Sequence, residues 1–174
     1  MRPYQDLVDR IGAQEGVPSQ AAQALVDTEN GARDPNLVLA ESWGGGSMGL
    51  TMITLRTARS LGFRGTPAEL LVPEANLTFG MRYFRQMYDQ VGRSDWTRAY
   101  AGYNAGPDLT PWPTAHVANY AKNLARWLGT KGGAVPPVGP TRPPSRAGAG
   151  GLTLLLVLGA LLPMLVNLFR RKNQ

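Results

Sequence analysis

The sequence has no cysteine and a single histidine among its 174 residues. The first absence excludes disulfides and thiolate metal sites. The second leaves His116 as a solvated or packed imidazole, because a metal centre needs several such ligands. No cofactor and no metal are therefore expected. Net charge is also scarce where a fold would carry it. All six residues of the excess of 18 Lys and Arg over 12 Asp and Glu can be placed after Leu128, at Lys131, Arg142, Arg146, Arg170, Arg171 and Lys172, with no acid among them. The chain up to Leu128 is thus neutral, which excludes the broad basic stripe of a nucleic-acid-binding fold.

What the sequence does have is helical periodicity. Leu7, Val8 and Ile11 share a face in the segment Tyr4 to Gln14, and Gly16 with Pro18 interrupts it. Ser19 is the expected N-cap of a second helix in which Ala22, Leu25, Val26 and Glu29 recur at helical spacing. That register puts an acid at the end of a buried stripe, a costly place for a carboxylate without a partner or a task. From Asn30 to Met52 the pattern is irregular, and Asp34-Pro35 and the Gly44-Gly45-Gly46 run mark turns and a small β-hairpin. Helical signals resume at Thr54 and stop at Gly62. Thr66-Pro67-Ala68-Glu69 reads as a capping box with proline at the first helical position. A longer helix is expected from Pro73 to Val91, another capped by Ser94 and carrying Trp96, Ala99, Tyr100 and Tyr103, and a last one from Thr114 to Leu128. The expected fold class is mainly α, with a small hairpin segment.

Beyond this domain, assigned to residues 1–128, the composition changes. Residues 129–150 hold six glycines and five prolines and read as a linker, since they cannot bury enough apolar surface to fold. Residues 151–169 are uncharged and rich in leucine. As a helix they reach about 28 Å, the thickness of a bilayer's hydrocarbon core, and are expected to span a membrane. The basic tail of residues 170–174 places Arg170, Arg171 and Lys172 at the inner headgroups.

The motifs of the first domain together resemble the lytic transglycosylase family of the soluble, lysozyme-like type. Glu29-Asn30 followed by Pro35 is similar to that family's catalytic Glu-Ser and the proline after it. Ser47-Met48-Gly49-Leu50-Thr51-Met52-Ile53 matches its Gly-Leu-Met-Gln-Ile segment, and Thr57-Ala58 falls at the spacing of its Thr-Ala. Leu71 to Leu77, with Gly80 and Tyr83, resembles its Leu-x-Pro-x-x-Asn-Ile helix. Tyr103-Asn104-Ala105-Gly106 reproduces its Tyr-Asn-Ala-Gly motif. Asn30 stands where the family has serine, and Thr51-Met52 where it has Met-Gln.

The resemblance implies an α+β lysozyme-like fold and a peptidoglycan substrate. Glu29 is implied as the catalytic acid and base, and Ser47, Gly49, Leu50, Met52, Tyr103, Asn104 and Tyr120 as substrate-binding residues. By analogy Tyr103 and Asn104 orient Glu29 and the substrate's acetamido group. The chemistry asks for a carboxylic acid that stays protonated near neutral pH, which partial burial favours. It also implies cleavage to 1,6-anhydro-N-acetylmuramic acid ends, with the substrate's N-acetyl group assisting in place of a second carboxylate. Glu41 is the candidate second carboxylate, and Asp34 its rival. Either one facing Glu29 would make the protein a lysozyme-type hydrolase. A non-catalytic glycan-binding membrane protein on the same fold is the alternative from another class. Met1-Arg2-Pro3-Tyr4-Gln5 carries no apolar signal segment. With a C-terminal span, this favours a bacteriophage protein assembled with virion structural proteins and a virion membrane, acting on the host wall.

Overall fold

The computed structural model describes residues 2–40, 46–92, 94–109 and 112–131. Helix α1 (Gln5–Gln14) and helix α2 (Ser19–Glu29) come first. Three two-residue strands follow, β1 (Val38–Leu39), β2 (Ser47–Met48) and β3 (Ile53–Thr54), in one antiparallel sheet of that order. Met48 stands opposite both Val38 and Ile53. Two short helices, α3 (Leu55–Ser60) and α4 (Pro67–Leu70), lead into α5 (Pro73–Met87). Then come α6 (Trp96–Ala105) and α7 (Thr114–Lys131). The expected helical fold with one small β segment is what the described residues form.

Several helix ends differ from the expectation. Pro18, not Ser19, precedes the first turn of α2, because the Ser19 hydroxyl donates to Asp9 on α1. Asp95 caps α6 by accepting from the Thr97 amide at 2.7 Å. Ser94 adopts φ 73° instead. Helix α5 ends at Met87 and continues as a π-helical turn, Tyr88–Gly92, in which Tyr88 lies flat on Trp96 at 4.1 Å. Thr66 and Glu69 form the expected capping box. Helix α7 runs three residues past Leu128, into the stretch read as linker. The remainder of that stretch, the expected span 151–169, the basic tail and Glu41 lie outside the described residues. Among the described residues no helix is long and apolar enough to cross a membrane.

Helix α2 is the axis of the fold. Residues Ala21 to Val26 are buried on every side, the pattern of a helix surrounded by others. Its alanines admit close neighbours: a Cβ at Gly12 of α1 would stand 3.0 Å from that of Ala22. The main core gathers α1, α2, α5, α6 and α7 around Leu25, Leu77, Met81, Phe84 and Tyr100. A smaller core of Met48, Ile53, Ala58, Phe63 and Leu70 lies under the sheet and α3. Tyr83 packs against both cores.

The main core also contains a polar network. Asp27 and Arg33 have side chains only 2% and 1% exposed and pair at 2.8 Å. The second Asp27 oxygen accepts from the Trp127 indole at 2.9 Å, and Arg2 adds a contact at 2.7 Å. Arg33 also donates to Gln23 and to the Pro3 carbonyl. Gln23 in turn donates to Asp9 and to the Gln5 carbonyl. One carboxylate and one guanidinium thereby tie α1, α2, the following loop and α7 together. Removing one partner of such a pair strands the other charge in the interior. Asp27→Ala is expected to lower the unfolding free energy by about 3–5 kcal/mol in urea titrations followed by circular dichroism. A loss below about 1 kcal/mol would assign the pair no structural role.

Candidate active site

Glu29 is the last residue of α2, half-buried where the helix leaves the core. Asn30 then turns the chain into an extended conformation, φ −143° and ψ 76°. Its buried amide is a clamp. It donates to the Asp34 carbonyl at 2.6 Å and the Gly49 carbonyl at 3.1 Å, and accepts from the Asp34 amide at 3.1 Å. A side chain beside the catalytic candidate thus fixes the loop on one side and the β2–β3 turn on the other.

That turn is held from below by a second buried amide. Asn76 on α5 accepts from the Thr51 amide and hydroxyl, both at 2.9 Å, and donates to the carbonyls of Met48 and Leu70. The packing explains two glycines of the motifs. Gly49 has φ +75°, and a Cβ there would collide with the Asn76 side chain. A Cβ at Gly80 would collide with Thr51. The turn delivers Met52, at φ 48°, to the surface facing Glu29.

Glu29, Ser47, Met52, Tyr103 and Asn104 line one cleft of about 160 Å³. Ile53, Thr54, Thr57 and Tyr83 complete its wall, so the cleft lies where the two cores meet. Of the other expected binding residues, Leu50 is fully buried in the main core, and Gly49 shapes the turn behind the wall. Tyr120 is fully buried, with its hydroxyl 3.4 Å from the Ala21 carbonyl. Asp34 is exposed and accepts from the Asn36 amide at 2.9 Å. Among the described residues Glu29 is the one carboxylate lining the cleft. No cluster of three His, Cys, Asp or Glu among them could hold a metal ion.

Three tyrosines stand behind Glu29. Tyr103, expected to orient the acid, donates its hydroxyl to the Thr51 carbonyl at 2.7 Å and so steadies the turn. Tyr100 takes the other position: its hydroxyl donates to Glu29 Oε1 at 2.6 Å. The sequence pattern places Tyr100 on the same helix as Trp96, Ala99 and Tyr103, with no role at the site. Its one-turn spacing from Tyr103 on α6 is the signal that both could face the same wall. The Tyr100 ring stacks on Tyr120, centroids 4.6 Å apart and planes 5° from parallel. Burial holds the Tyr100 and Tyr103 phenols well above their ordinary range, and the negative charge of Glu29 adds to it. Both are neutral donors at any physiological pH.

A helical domain whose small antiparallel sheet faces a cleft with a helix-terminal glutamate has the lysozyme-like architecture. The chain belongs to the transglycosylase SLT domain family, whose model matches residues 6–124. Its fold is similar to that of the 70-kDa soluble lytic transglycosylase Slt70 from Escherichia coli, with a TM-score of 0.61 and 26% identity over 74% of this chain and 24% of that one. The lytic transglycosylase Slt from Pseudomonas aeruginosa, solved as an inactive Glu-to-Gln variant, gives a TM-score of 0.63 at 20% identity, covering 79% of this chain and 26% of that one. A complex of the 70-kDa enzyme with bulgecin A gives 0.51 at 26% identity, over 73% and 22% of the two chains. The chain spans about a quarter of the length of these enzymes. None of the curated proteins matches its sequence.

The clamp predicts the effect of restoring the family's usual residue. Asn30→Ser can replace at most part of a three-bond set and leaves the buried Gly49 carbonyl short of a donor. It is expected to cost about 1–3 kcal/mol of stability in thermal or urea unfolding. A serine variant as stable as the parent would refute the clamp.

Proposed function

We propose that the domain cleaves the β-1,4 bond between N-acetylmuramic acid and N-acetylglucosamine in peptidoglycan as a lytic transglycosylase, with Glu29 as the sole catalytic carboxylate. The observation that carries this reading is the cleft itself: one half-buried glutamate whose described neighbours in the lining are neutral polar and apolar side chains, with no second acid among them. A hydrolase of the two-carboxylate kind needs a partner acid to activate water or to attack the sugar. Membership of the transglycosylase SLT domain family supports the same chemistry.

In this mechanism protonated Glu29 gives its proton to the glycosidic oxygen as the C1–O bond breaks. The substrate's N-acetyl oxygen shields the positive charge at C1. The C6 hydroxyl oxygen then bonds to C1, and its proton passes to the Glu29 carboxylate, which restores the acid. The product is a 1,6-anhydro ring, and no water is consumed. Ser47 and Asn104, both lining the cleft, supply hydroxyl and amide groups suited to the sugar's polar edges. Met52, Ile53 and Tyr83 supply apolar surface for its faces.

Mass spectrometry of digested glycan strands tests the reaction. Anhydromuramic ends are expected, and reducing muramic ends would transfer the assignment to a muramidase using Glu41 or Asp34. Glu29→Gln is expected to lower turnover by at least about 100-fold. An unchanged rate would remove Glu29 from the mechanism, and a parent protein that binds glycan without cleaving it would identify a binding module.

We infer the location from the composition of the tail. A span at residues 151–169 would tether the domain to a membrane through a linker that reaches roughly 25 Å as a coil. A wall-cleaving domain tethered in this way suits a bacteriophage protein, carried in a virion membrane, that opens the wall for genome delivery. Recovery of the full chain with purified lipid-containing particles, and its extraction by detergent but not by salt, is the expected result. Absence from particles would leave release of progeny at the inner membrane as its task.

A further inference from the structure

The hydroxyl that reaches Glu29 comes from α6, one turn before the Tyr-Asn motif. Tyr120 on α7, which the resemblance assigns to the cleft, is instead fully buried and forms the floor on which the Tyr100 ring rests. Tyr100 itself is fully buried, with Tyr103 at 6.4 Å on a nearly parallel plane. A fully buried ring packed against two others has no room to swing its hydroxyl aside. The donor is therefore fixed before any substrate arrives.

We propose that Tyr100 is a positioning residue for Glu29: its buried, stacked hydroxyl holds Oε1 against the cleft wall and favours the ionised carboxylate. The inference rests on Glu29 being the acid of the proposed reaction. A phenol bound above its ordinary range donates and does not give up its proton, so it interacts more strongly with a carboxylate than with a carboxyl. The contact thus helps Glu29 release its proton to the leaving oxygen, and it keeps the resulting base aligned for the C6 hydroxyl.

Among the described residues, the charges nearest this end of α2 are engaged elsewhere. On α2 itself, Asp27 is engaged by Arg33, Arg2 and Trp127 in the core. The following loop offers Arg33, paired with Asp27, and Asp34, exposed on its own turn. Among the described residues, α5 and α6 present the phenols of Tyr83 and Tyr103 to the cleft, α7 places that of Tyr120 against Tyr100, and the β2–β3 turn contributes no charged side chain.

Tyr100→Phe keeps the ring and its stack while removing the donor. With the full chain and purified glycan strands, kcat is expected to fall about tenfold with KM little changed, the mark of lost transition-state alignment. Because Glu29 must start protonated, the high-pH limb of the kcat profile is expected to move upward by about one unit, the size of one hydrogen bond to a charged group. A merely structural tyrosine would lower activity without moving that limb. Carbon-13 NMR titration of the glutamate carboxyls, with the Glu29 resonance assigned through Glu29→Gln, reads the same shift without substrate. Glu29 titrating at the same pH in both proteins overturns the proposal. The titration remains decisive if the parent releases no anhydro product, a result that would overturn the proposed reaction alone.

Discussion

The pair formed by Asp27 and Arg33 fixes the end of α2, and every group of the cleft is placed relative to that end. Arg33 holds φ 55°, a left-handed backbone that costs a non-glycine residue roughly 1–2 kcal/mol. The conformation persists because it is the one that turns the guanidinium back onto Asp27, Gln23 and the Pro3 carbonyl. Its Cζ also lies 6.0 Å from the Trp127 ring centroid, a cation–π distance. Loop, N-terminal segment and last helix therefore converge on one side of α2. Two residues further along a helix is about 200° of rotation, so Glu29 emerges on the opposite side, toward the sheet.

On that opposite side the scaffold changes from charges to amides. Asn30 and Asn76 bond mainly to backbone, and backbone geometry is what a turn consists of. Between them they hold the carbonyls of Asp34, Met48, Gly49 and Leu70 and the amides of Asp34 and Thr51. With those groups satisfied internally, the turn tolerates Thr51-Met52 in place of the family's usual residues. The Thr51 hydroxyl points inward to Asn76 and fills the space that Gly80 leaves open. Met52 is left facing the cleft, where its thioether offers polarizable apolar surface in place of a hydrogen-bonding amide.

Legibility followed the range of the interactions involved. Helices α1, α2, α5, α6 and α7 were readable because their apolar positions repeat at helical spacing, and the Thr66–Glu69 box because its two halves lie three residues apart. Neither Ser19 nor Ser94 is a cap: the Ser19 hydroxyl is taken by Asp9 across the α1–α2 contact, and Asp95, one residue beyond Ser94, caps α6 in its place. Glu29 was legible from its place at the end of an apolar stripe. Its partner was not, since Tyr100 is 71 residues away in sequence and a tyrosine on an apolar face reads equally well as core. The Asp27 network was hidden for the same reason, as its indole donor is 100 residues distant.

The two acids at the end of α2 show how burial is put to different uses within a few ångströms of chain. Asp27 is surrounded by full positive charges, whose ion pairs make it a strut. Glu29 meets only neutral donors and apolar groups among the cleft's described residues. A guanidinium in the place of Tyr100 would hold the carboxylate ionised and leave no proton to give. A purely apolar neighbour would hold it protonated and make a poor base. A phenol that donates but does not ionise lies between these limits, and an acid that must also serve as the base needs both of its protonation states within reach.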